Sequence, residues 1–152
     1  MPRPQLDNVM DDSKARVMIT LPEKPQALKR HRHTKHGHVY NPSIKEQKLF
    51  HNRSLKFSPP FPIEGSVAIF CWFTFERPKI HYRTGKFSDQ LKENVPFWHI
   101  IKPDLSNLIK FYEDALGLSD HFFLDDKQIC FAGGVKYYGS EPEVRIAINE
   151  IR

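Results

Sequence analysis

The apolar run Val17-Met18-Ile19-Thr20-Leu21, closed by Pro22, predicts a short strand. Farther on, Val67 to Phe75 is apolar on both alternating faces. Val67, Ile69, Cys71, Phe73 and Phe75 share one face; Ala68, Phe70 and Trp72 share the other. That pattern predicts a central strand covered on both sides. From about Asp104 to Leu116 the period changes. Leu105, Leu108, Ile109, Tyr112, Ala115 and Leu116 recur at helical spacing and form one face, and Gly117 supplies the stop. Two strands, about 127–137 and 142–150, close the chain around the turn Gly139-Ser140-Glu141-Pro142.

Between these elements the pattern is irregular. Residues 23–40 predict a basic loop and an irregular hairpin with Gly37 near its turn. Asn41-Pro42-Ser43 opens a short helix over about 43–52, with Ser43 as N-cap and Glu46 completing a capping box. Pro59, Pro60 and Pro62 break the chain, and residues 77–103 predict a loop. The sum is an α+β pattern: a single domain over 16–152, a mixed sheet with helices packed on it, and a flexible polar tail over 1–15.

Composition narrows the class. A chain of 152 residues is one ordinary domain, able to bury a core without staples. No apolar run approaches the ~20 residues a membrane helix needs. The start, Met1-Pro2-Arg3-Pro4-Gln5, lacks the apolar stretch of a secretory signal. Cys71 and Cys130 both lie in apolar stretches and are expected as reduced, buried thiols, so the expected compartment is the cytoplasm.

Charge divides the chain unevenly. Residues 1–102 carry a net charge of +9 and residues 103–152 a net of −4. Lys24 to Lys45 holds six Lys/Arg and four His with no acid. A basic grip followed by an acidic patch suits a protein that holds a polyanion and gathers carboxylates in one place. A solvated surface with chance asymmetry has the same composition.

The candidate chemistry lies at the predicted helix. Asp104 marks its entrance, Lys110 lies one turn in on the polar side, and Asp125-Asp126 precede the next strand. A helix packed on the sheet could bring its Asp104 end near that loop. Converging carboxylates suit Mg²⁺, whose bound water could attack a phosphodiester. The spacing is equally that of an N-cap, a turn and a solvated lysine. His31, His33, His36 and His38 have zinc-ligand chemistry, but Arg32 and Lys35 are interleaved among them, which favours a DNA backbone as partner. Lys79, His81, Arg83 and Lys86 read as a flexible basic loop for phosphate, and Phe97 and Trp98 as a hydrophobic anchor for it.

Several segments, in order, resemble the RusA family of Holliday-junction resolvases. They are Lys102-Pro103-Asp104-Leu105-Ser106-Asn107-Leu108-Ile109-Lys110, Asp114-Ala115-Leu116, Leu124-Asp125-Asp126-Lys127-Gln128-Ile129, and Lys136-Tyr137-Tyr138-Gly139 with Glu141-Pro142. The segment from Arg77 to Lys86 is similar to that of phage and prophage members, and Ile19-Thr20-Leu21-Pro22 also matches. The resemblance covers roughly residues 16–150. It implies a homodimeric endonuclease, dependent on Mg²⁺ with Mn²⁺ as substitute, that cuts four-way DNA junctions by paired symmetric nicks in recombination and repair. By position, Asp104, Asp126 and Lys110 match the catalytic residues. Asp104 and Asp126, with Asp125 beside them, match the metal ligands. Arg30, Arg32, Lys35, Lys79, Arg83 and Lys86 fall to DNA binding. The family motif has a second carboxylate two residues after the first, where this chain has Ser106. The alternative that this substitution opens is a nucleic-acid-binding protein of the same fold with impaired catalysis.

Overall fold

The computed structural model describes residues 15–151, so the expected tail lies, apart from residue 15, outside them. Six strands and two helices follow in chain order: β1 (Val17–Leu21), β2 (Arg32–His33), β3 (Val39–Tyr40), α1 (Ile44–Ser54), β4 (Ser66–Glu76), α2 (Leu105–Leu116), β5 (Ile129–Gly139) and β6 (Glu143–Ile151). The main sheet has the order β1-β6-β4-β5, and β2 and β3 form a separate small hairpin. β4 pairs in parallel with β5 and antiparallel with β6, so the sheet is mixed. The last two strands are therefore not partners. They flank β4, and the turn between them passes over the carboxyl end of β4, where Arg77 N donates to Gly139 O at 3.1 Å.

One face of the sheet carries the core. Val17, Ile19 and Leu21 of β1, the odd residues of β4, and Val144, Ile146 and Ile148 of β6 are all buried there. α2 lays Leu108, Phe111, Tyr112, Ala115 and Leu116 on that surface, as its spacing predicts, with Phe111 added. Each such large apolar side chain contributes roughly 1.5–3 kcal/mol by burial. Tyr112 is the hub: its ring meets Phe50 at 4.8 Å and Phe111 at 4.9 Å, and its hydroxyl accepts from Gln26 N at 2.9 Å. That last bond fastens the basic segment to α2.

Three local expectations change. Ala68 and Phe70 are buried on the second face of β4, but by residues of their own sheet such as Phe131, Val135 and Ile151; among the described residues no helix residue joins that cluster. The capping box at α1 does not form. Ser43 Oγ accepts from Lys29 N at 2.9 Å instead, and Glu46 Oε2 is buried without a partner. Cys71 is buried as expected, but Cys130 is exposed, because it lies on the edge strand β5.

Candidate active site

The entrance of α2 is the better formed half of the site. Asp104 has extended backbone, and its side chain makes no capping bond, so the carboxylate is free for other work. It lines a cleft of about 380 Å³ with Asn107, Arg30, Lys102 and Pro103. Arg30 comes from far up the chain. Leu28 N donates to Asn107 O at 3.0 Å and runs the basic segment along the helix entrance. Two cations and an amide lining one cleft can hold a phosphate and set it beside the Asp104 carboxylate. The basic and acidic blocks of the sequence thus meet at Asp104.

Lys136, on β5, braces this entrance from below. Its Nζ donates to Ile101 O at 2.6 Å and to Pro103 O at 2.7 Å, two carbonyls of the three residues ahead of Asp104. The residue interrupts an otherwise apolar strand segment, Gly134-Val135-Lys136-Tyr137. That interruption, within a segment that also carries the family resemblance, is the local signal of its role.

Asp126 lies elsewhere. Its Oδ1 is 2.6 Å from where a Cβ on Gly117 would stand, so it packs on the glycine that ends α2. Asp104 is at the other end of that helix, and twelve residues span roughly 18 Å. The expected convergence of the Asp104 end with the Asp125-Asp126 loop does not occur within one chain. A side chain at position 117 would meet the Asp126 carboxylate, which would have to swing aside.

Around Asp126 the charges are layered. Lys110 Nζ contacts Asp114 Oδ1 at 2.9 Å, one turn along α2. That hydrogen bond, with the fields of Glu113 and Asp126, holds the lysine above its ordinary range, so it stays a cation. Burial pushes the Glu113 carboxyl up, and Asp114 and Asp126 push it further while Lys110 opposes them. Glu113 was absent from the sequence expectation because it alternates with core positions on α2. Asp125 has a different task from its neighbour. Its Oδ1 accepts from Lys127 N at 2.8 Å, and its own N–H donates to Gln128 Oε1 at 2.8 Å, a capping box on the turn Asp126–Gln128. The Lys127 N–H holds the Asp125 carboxyl below the usual range.

Carboxylates are the right donors for Mg²⁺. Among the described residues of one chain no group of three ligating side chains converges, so the protein would contribute one or two carboxylates to the ion, with water and the substrate phosphate completing its shell. The four histidines of the hairpin form no such group either and remain exposed around Gly37, a residue at φ +80°. Ser106 is exposed in the first turn of α2.

Of the other cationic positions, Arg32 and Lys35 project from the hairpin into solvent. The loop after β4 is braced rather than loose. Arg83 N donates to Gln90 O at 2.8 Å and Lys92 N to His81 O at 2.9 Å. Arg83 and Lys86 stand over the Phe87 ring at 4.3 and 5.2 Å, while Lys79 is exposed on the turn Lys79–His81. Phe97 stacks on Tyr137 at 5.5 Å and Trp98 meets the Phe97 edge at 4.9 Å, so the pair does anchor the loop to β5.

Two buried histidines make the fold sensitive to acid. Burial, with His121 nearby, lowers His51 despite the pull of the Ala115 carbonyl; burial and Lys136 lower His99. In the unfolded chain both titrate near ~6.5. Below that value the unfolded state therefore takes up more protons, so stability is full above it and lost as pH falls through the lowered folded values. The urea midpoint should fall between about pH 7 and 5 with an unchanged slope; a flat midpoint would remove both residues from this role.

One protein-family profile, described as endodeoxyribonuclease RusA, matches residues 22–149. No curated protein matches the chain.

Proposed function

Because the chain belongs to the RusA endodeoxyribonuclease family, we propose that it is a homodimeric, divalent-metal-dependent nuclease that resolves four-way DNA junctions by paired symmetric nicks. The observation that carries this reading is the cleft at the entrance of α2. There Asp104 stands with Arg30, Lys102 and Asn107 on a braced backbone. The two cations and the amide bind and orient a phosphate, and Asp104 presents a carboxylate to it.

A second copy completes the proposal. Two symmetric cuts call for two sites related by a two-fold axis. The same axis offers a way to set the Asp104 end of one chain against the Asp126 end of the other, which a single helix keeps apart. A hydrolytic divalent ion would supply an activated water and charge neutralisation. The chain's own part is to hold the phosphate with Arg30 and Lys102 and to keep Lys110 protonated through Asp114. Arg32, Lys35, Lys79, Arg83 and Lys86 extend the cationic surface for the junction arms.

The direct test incubates a synthetic four-way junction with the dimer, with and without Mg²⁺ or Mn²⁺. Paired nicks that vanish with chelator are expected. Junction binding with no cutting in either metal would transfer the case to a binding protein of the same fold. Replacing Arg30, Arg32 and Lys35 by Gln together should weaken junction and duplex binding alike, and lower the salt slope by roughly one unit for each phosphate no longer neutralised. An unchanged slope would take the hairpin off the DNA. Ser106→Asp should lower the Mg²⁺ concentration needed for half-maximal cutting, and Ser106→Ala should change little. A large loss in the Ala variant without a gain in the Asp variant would give the hydroxyl a role of its own.

A further inference from the structure

Two concavities share one short wall. The Asp104 cleft lies on one side of Lys102 and Pro103. On the other side is a cavity of about 340 Å³ with an apolar floor of Phe75, His99 and Tyr138, and with Glu76 and Lys24 also lining it. It sits at the carboxyl ends of the parallel strands β4 and β5, where the chain crosses toward β6. Ends of parallel strands at such a crossing are recurrent ligand sites. Nothing in the nuclease reading above uses this cavity.

We propose that it receives a nucleobase unstacked from the DNA, while the phosphate of the same nucleotide occupies the Asp104 cleft. The proposal rests on the nuclease reading and adds a subsite to it. The arrangement has the layout of a nucleotide: an anionic group on one side of a two-residue ridge and a flat, largely apolar group on the other. The floor is aromatic. His99 lies on Phe75 with centroids 3.9 Å apart and planes 15° from parallel, and Tyr138 stands 5.0 Å from the same imidazole. Aromatic and apolar walls are how proteins hold bases taken out of a stack.

The polar groups of the cavity fit the edge of a base. His99 is 5% exposed, and its Nδ1 has no hydrogen-bond partner. An orphaned buried polar atom is costly, and a turn of the ring that opened Nδ1 to the cavity would let a base pair with it and recover the cost. Burial and the nearby Lys136 ammonium keep the imidazole neutral, so it can either give or take a hydrogen bond. Glu76 adds a carboxylate that accepts from an exocyclic amine, which thymine lacks. Lys24 and Lys102 stand where flanking phosphates would pass.

The test uses four-way junctions with 2-aminopurine placed in turn at each nucleotide flanking the cut. The full-length dimer is added in chelator, so that it binds without cutting. A several-fold rise in fluorescence at one position, with the others flat, is expected. Ile101→Trp fills the mouth of the cavity from a residue that is 61% exposed, so the fold tolerates it. His99→Phe keeps the ring stack and removes Nδ1. In Ile101→Trp the rise should disappear, the choice of cut position should flatten, and junction affinity should fall about tenfold, as for loss of one stacked base. In His99→Phe the rise should persist with weaker junction binding, and in Glu76→Ala it should persist while discrimination against thymine at that position is lost. Junctions that are bound and cut with no rise at any position would overturn the base site alone. So would a rise that survives in Ile101→Trp. Failure to bind or cut any junction would overturn the nuclease reading, and the base site with it.

Discussion

Mixed in equal amounts, Asp104→Asn and Asp126→Asn chains should recover roughly a quarter of parental nicking, although each variant alone is inactive. Each substitution keeps side-chain size and removes one negative charge. Loss of a hydrolytic metal's contribution costs several orders of magnitude, at ~1.4 kcal/mol per tenfold. Recovery on mixing follows if the two carboxylates act across the dimer. In a mixed dimer one composite site holds both substitutions and the other holds neither. Half of the dimers formed by free exchange are mixed, and each has one working site. If both carboxylates acted within one chain, every site in the mixture would carry one lesion and nothing would return. The measurement is Mg²⁺-dependent nicking after subunit exchange has been verified by mass. No recovery would return the site to a single chain, and parent-like cutting by Asp126→Asn alone would remove that residue from the assignment. Junction affinity without metal should not fall in Asp104→Asn. Arg30 and Lys102 line the same cleft, so removing the carboxylate relieves its repulsion of phosphate.

The sequence made the local elements legible and left their partnerships hidden. α2 was readable because its burial follows one helical stripe through Leu108, Tyr112 and Ala115, and such a stripe is written locally. β4 was readable for the same reason, since a strand at the centre of a sheet is apolar almost throughout. The order β1-β6-β4-β5 was not readable. A turn rich in Gly, Pro and Ser between two strands carries the same signal whether the strands pair or straddle a third. Ser43 shows the limit for polar groups: its cap spacing was right, but a distant amide, Lys29 N, took the hydroxyl. Cys130 shows the limit for apolar neighbourhoods, because an edge strand leaves alternate residues uncovered.

The site was legible to the same degree. Asp104, Lys110 and Asp126 were singled out as candidates by the family resemblance, since their spacing alone fits an N-cap, a solvated lysine and a turn equally well. Their separation was not legible: a helix packed on the sheet was expected to bring its Asp104 end near the Asp125-Asp126 loop, and a twelve-residue helix keeps the two apart. Asp125 and Asp126 are neighbours in the chain, yet one caps its own turn and the other faces the end of α2. Arg30 joined the cleft only through the bond from Leu28 to Asn107, which no local pattern encodes.

Lys136→Met should lower kcat about a hundredfold and leave KM nearly unchanged. The ammonium donates to Ile101 O and Pro103 O from the middle of a strand. Hydrogen bonds from a charged donor contribute ~1.5–3 kcal/mol each, so removing two of them releases the backbone that aims Asp104. Methionine fills nearly the same volume without donating, so the strand itself should remain folded. A displacement of even ~1 Å at a reacting group can cost about a hundredfold in rate. Arg30 and Lys102 still bind the phosphate, which is why KM should hold. Lys136→Arg should restore only part of the loss, because a planar fork does not reproduce a compact ammonium between two carbonyls. A second readout separates positioning from general damage. Lys136 helps to hold His99 below its ordinary range, so the His99 titration followed by NMR should move upward in Lys136→Met. A variant whose His99 titration rises as expected while kcat stays parental would show that the Asp104 backbone keeps its place without this brace.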